Sequence, residues 1–132
     1  MLVHFPVAAL MGLVASDAAF IYTGDPFWAR LGLWLAGVGT LGGWVAALIG
    51  LLDWLVVRRI RDMISASIHG ILAITVLSLA AFNWHWRLED AAAAVLPWGI
   101  YLSVLTAVMI TATSVLGGIL VYDYGVGVDM EP

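Results

Sequence analysis

Four long apolar runs, at residues 3–22, 28–57, 63–82 and 91–122, are separated by three short polar interruptions. The interruptions read TGDP at 23–26, RRIRD at 58–62 and NWHWRLED at 83–90, and YGVGVDMEP closes the chain. Each run reaches or exceeds the roughly 20 residues needed to cross a bilayer as a helix. TGDP supplies a turn, with Asp25 placed to cap the second helix. The second run exceeds the minimum, so it is expected to tilt or protrude. Pro97 falls within the first turns of the fourth. Links this short force an up-down-up-down order, and the chain is expected to fold as an all-α, antiparallel four-helix membrane bundle in one domain.

Composition narrows the picture. The chain has 132 residues, 64% hydrophobic and 11% charged, too little charge to cover a water-soluble surface. It has no cysteine, which excludes disulfides, thiolate catalysis and iron–sulfur ligation by its own side chains. Lysine is absent and the five basic residues are arginines in three places, so no basic patch for nucleic acid can form. The first run has no basic residue before it and carries Asp17 near its end; it reads as a spanning helix, not a cleaved signal.

Charge and aromatic placement suggest an orientation. Arg58, Arg59 and Arg61 share one loop, against Arg30 and Arg87 at the other end. The positive-inside rule then puts the arginine loop and both termini in the cytoplasm. Phe27, Trp28, Trp84, Trp86 and Trp98 would form the aromatic belt at the opposite boundary.

Small residues suggest how the helices meet. Gly39, Gly43, Ala46, Gly50 and Asp53 lie on one stripe of the second helix, and Ser103, Ala107, Thr111, Ser114, Gly118 and Tyr122 on one stripe of the fourth. Such stripes are packing seams that let backbones approach closely in lipid. The first leads inward to Asp53. An acid inside the hydrocarbon region is a candidate site, and a salt bridge to Arg58 or a snorkelling carboxylate is its structural alternative. Asp17 reads as a hydrated structural acid or a partner for Arg30.

Among the three histidines, His85 lies between two tryptophans in a loop and reads as interfacial. His4 and His69 both fall toward the cytoplasmic end, on helices that are diagonal in a simple ring. Two such histidines can clamp a metal, a haem iron above all. Their depths, however, differ by up to about 10 Å at the rise of an α-helix. A cluster of His4, Asp53, His69 and Tyr122 around a metal, a quinone headgroup or water is the second possibility, and a purely structural network the third.

LVHFPVA at the start, an Asp in the first helix, GLLDW ending the second, a His early in the third and GGILVYDYGVGV near the end resemble the bacterial membrane proteins grouped as domain of unknown function 2231. The resemblance implies a four-helix inner-membrane domain with His4, Asp53 and His69 as its polar positions. It also implies redox company, since similar domains occur joined to Rieske-type modules. The chain departs from the pattern near Ile119 and Tyr124, where another polar or basic residue is expected.

These readings leave two functions in view. One is a redox-linked membrane subunit binding haem b or a quinone at His4, His69, Asp53 and Tyr122, with His4 and His69 as the metal ligands. The other is a non-catalytic subunit that assembles with a membrane partner or with copies of itself in the lipid bilayer. Proton or ion movement through Asp17 and Asp53 lacks an evident relay. No nucleophile–base spacing, phosphate loop or paired carboxylate is present, so no catalytic residue is assigned and the chain is not expected to be an enzyme on its own.

Overall fold

The computed structural model describes residues 3–126. The first apolar run forms α1 (His4–Thr23), which ends at Gly24. Gly24 has φ 69°, a left-handed conformation that glycine adopts without a Cβ penalty, and its N–H closes the helix onto Phe20 O. α2 (Pro26–Val56) starts as expected: Pro26 occupies the first turn and Asp25 Oδ1 accepts from Phe27 N at 2.9 Å. Its 31 residues span about 46 Å, well beyond a hydrocarbon core of about 30 Å. A single turn, α3 (Arg58–Arg61), carries the arginine loop.

The third span differs from its reading. α4 runs Ile64–Arg87, so NWHWR is helical rather than loop, and His85 is an exposed residue of that helix. Hydropathy falls at Asn83, but hydropathy marks the end of an apolar run and not the end of a helix. The fourth span departs too: Leu96 is extended (φ −112°, ψ 140°), as residues before proline tend to be. The chain therefore breaks at 95–99, and α5 begins beyond Pro97, at Ile100–Tyr122.

Among the described residues, four helices are long and apolar enough to cross a membrane, and they form an all-α antiparallel bundle. α1 packs on α2 and α5, and α4 on the same two. The ring order is thus α1–α2–α4–α5, with α1 and α4 diagonal as expected. Leu10, Val76, Ala80 and Ile110 form an apolar core cluster.

The α2 seam holds over its first half. A Cβ on Gly39 would lie 2.6 Å from Leu10 Cγ, and one on Gly43 would collide with Leu77, so these helices pack at backbone distance. Gly50 faces open space and Asp53 is exposed, which corrects the expectation that the seam carries Asp53 inward. The stripe on α5 is also displaced. Its buried residues are Ser103, Thr106, Ile110, Thr113 and Leu120, while Thr111, Ser114 and Tyr122 are exposed. A stripe stepped mostly by four residues drifts around a helix of 3.6 residues per turn, whereas alternating steps of three and four follow one face.

Candidate functional site

The polar groups that the fold brings together are Asp17, Asn83, Arg87 and Ser103. Asp17 comes from α1, Asn83 and Arg87 from adjacent turns of α4, and Ser103 from the first turn of α5. Asp17 and Arg87 are each 0% exposed. The guanidinium clasps the carboxylate at both ends, Nη1 to Oδ1 at 2.8 Å and Nη2 to Oδ2 at 2.7 Å. This is the bidentate fork geometry that makes arginine–carboxylate pairs strong and directional. Arg87 Nε donates to Asn83 Oδ1 at 3.0 Å, and Asn83 Nδ2 donates to Ser103 Oγ at 3.0 Å. Ser103 has one proton and two acceptors in reach, Asp17 Oδ2 at 2.7 Å and Gly99 O at 2.9 Å. The nearer, charged oxygen is the stronger acceptor.

Two glycines make room for the guanidinium. A Cβ on Gly32 of α2 would stand 3.1 Å from Arg87 Nη1 and 3.3 Å from Asp17 Oδ1. One on Gly99 would stand 3.0 Å from Arg87 Nη2 and would also collide with Ala94 O. All four spanning helices or their flanks therefore touch this cluster, and the ion pair itself crosses the diagonal between α1 and α4.

Sequence reasoning missed the cluster. It assigned Asp17 to water or Arg30, and counted Arg87 as a loop arginine. The available signal was the spacing of Asn83 and Arg87, four residues apart and so on one helical face. Ending the third helix at Phe82 removed that signal.

The residues singled out from sequence are placed apart from this cluster. His69 on α4 is partly buried, and its Nδ1 lies 3.1 Å from Thr113 O. A carbonyl oxygen only accepts, so Nδ1 carries the proton in this contact, which leaves Nε2 as the ring nitrogen that faces other partners. The ring lies against α5, where a Cβ on Gly117 would approach His69 Cε1 to 3.1 Å. Counting antiparallel from the Gly43–Leu77 contact puts Asp53 level with Ser67, half a turn from His69. Asp53 borders an open cavity of about 180 Å³ with Val57, Arg59, Ile60, Gly125 and Val126. None of the three histidines lines it, nor does Tyr122, which is 83% exposed. His4 is exposed on the first turn of α1. Pro6 packs beside Gly42, which sets His4 near the level of Val76, about 10 Å from His69 along the bundle. Among the described residues, no group of three or more His, Cys, Asp or Glu side chains could hold a metal ion.

Comparison with known families agrees with the fold. The family described as "Predicted membrane protein (DUF2231)" matches residues 1–130. The chain belongs to this family. No curated protein and no solved structure matches it.

Proposed function

We propose that this DUF2231 protein is a non-catalytic subunit that stabilises or anchors a larger assembly in the bacterial inner membrane. The observation that supports this most is the closure of the buried cluster. Both Asp17 oxygens, the guanidinium fork, the Asn83 amide and the Ser103 hydroxyl are joined in one continuous hydrogen-bonded network. A catalytic or transport group must instead be directed at a space that a substrate can enter. Here the charges and their hydrogen bonds tie α1, α4 and α5 in one register, with Gly32 of α2 packed against them, as a scaffold requires. Arg87 is neutralised inside the bundle, so Arg58, Arg59 and Arg61 are weighed against Arg30 alone, which favours a cytoplasmic arginine loop and cytoplasmic termini. The test is purification from native membranes in mild detergent, with cross-linking. The reading expects one stoichiometric companion, either a different membrane protein or a second copy of this chain. A monodisperse monomer after cross-linking in membranes would count against it.

A redox-linked role is the second reading, and the Nδ1 contact of His69 favours it. Donation of Nδ1–H to a backbone carbonyl is the arrangement that orients a ligating imidazole and leaves Nε2 for an iron or a quinol hydroxyl. Haem b held between His4 and His69 would require the two rings to share one level, and α1 would have to shift by about 10 Å for that. A quinone headgroup needs only His69, with Asp53 and Tyr122 toward the same end of the bundle. Under this reading, purified protein carries haem bands on reduction or an extractable quinone, and His69→Ala loses them. Unchanged spectra and extracts in His69→Ala would end it.

A further inference from the structure

Next to the charged cluster, two hydroxyls break a rule that the other helical hydroxyls with a hydrogen bond to their own helix obey. Thr23, Thr75, Ser78, Thr111 and Thr113 each donate to the carbonyl four residues earlier. Thr40 Oγ1 and Thr106 Oγ1 are buried with no hydrogen-bond partner; among the described residues Trp54 Nε1 shares this state. Thr40 is 2% exposed and Thr106 1%.

Register brings the two hydroxyls to one level. The Gly37–Trp84 and Gly43–Leu77 contacts set Thr40 beside Ala80. The Asn83–Ser103 and His69–Thr113 bonds set Thr106 between Val76 and Ala80. α2 and α5 are diagonal, so these buried positions occupy opposite sides of the bundle interior. Ala80, 1% exposed, leaves this layer a small side chain, and Ala36, 0% exposed, does the same one turn nearer the charged cluster. Thr106 also follows Ser103 by three residues, on the same face of α5.

A buried hydroxyl without a partner is destabilising, and an internal water with two or more polar partners is the usual remedy. We propose that Thr40 and Thr106 together hold an internal water molecule, which continues the polar cluster of Asp17, Arg87 and Ser103 toward the middle of the bundle.

The test is a double-mutant cycle in detergent, with thermal unfolding followed by tryptophan fluorescence. Valine matches threonine in shape and removes the hydroxyl. Thr40→Val and Thr106→Val should each lower Tm, and the double variant should fall hardly further than either, because all three lose the same water. Thr40→Ser and Thr106→Ser should recover most of the loss. A rise in Tm in either valine variant, or strictly additive losses, would overturn the proposal, since removing a dry unpaired hydroxyl relieves a cost. Should a valine variant fail to fold, the unmodified protein decides by NMR. Cross-relaxation from a long-lived water to both threonine methyls supports the site, and its absence at both rejects it.

Discussion

Arg87 carries a permanent charge inside a bundle that sits in hydrocarbon, where an unpaired ion costs several kcal/mol. Its partners remove that cost: Asp17 supplies the opposite charge, Asn83 takes Nε, and Ser103 meets both ions. Deleting one ion exposes the other to the full penalty. Arg87→Ala or Asp17→Ala should therefore destabilise the protein by about 3–5 kcal/mol, measured by reversible unfolding in mixed micelles. Replacing both ions by apolar residues of similar size, Asp17→Leu with Arg87→Met, should recover much of that loss, because the ions cost more to bury than to omit together. A loss below about 1 kcal/mol for Arg87→Ala would mean that the pair behaves like a solvated surface bridge.

At the scale of the helix, the two halves of α2 do different work. Its buried residues are Ala29, Gly32, Ala36, Gly37, Gly39 and Thr40, all in the first half, where α1 and α4 pack at backbone distance. Beyond Gly43 the helix is half-buried or exposed. Glycine carries opposite consequences in the two places. Gly39→Ala forces a methyl against Leu10 and should cost about 1–3 kcal/mol. Gly50→Ala meets nothing within 4 Å and should be neutral or stabilising by up to about 1 kcal/mol from helix propensity alone. Comparing the two variants in the same unfolding assay checks the boundary between packed seam and outer surface. Equal effects would contradict it.

For the molecule as a whole, the proposed orientation, with the arginine loop in the cytoplasm, is open to a direct test. Because the chain contains no cysteine, single introduced thiols report topology without background. Asp62→Cys, beside the arginine loop, should resist a membrane-impermeant maleimide in intact spheroplasts and react after lysis. Glu89→Cys, beyond the aromatic end of α4, should react before lysis. The reverse pattern would invert the bundle. The aromatic end agrees with an interfacial position: Phe27, Trp86 and Trp98 are exposed there, with Trp98 against Tyr101 and Phe82 against Trp86.

What the chain determines by itself is set by local properties that survive without tertiary contacts. Apolar length specifies four spans, short links impose alternating direction, Asp25 and Pro26 start α2, and Gly24 ends α1. The resemblance in LVHFPVA and GGILVYDYGVGV reached the correct family on the same local basis. Tertiary structure alone decided which polar groups meet. Asp17 and Arg87 are 70 residues apart, and nothing local distinguishes Arg87 from Arg30 as a partner. Their pairing depends on α4 continuing through an apparently polar loop and on Gly32 and Gly99 leaving space. The linear pattern already puts His4 and His69 at different depths, up to about 10 Å apart. The register of α1 against α2, set by Leu10 and Pro6 against Gly39 and Gly42, decides which lies deeper: His4, near the level of Val76. A linear pattern can state which residues lie on a helix face, but the sliding of one helix against another is fixed by side-chain fit across the interface.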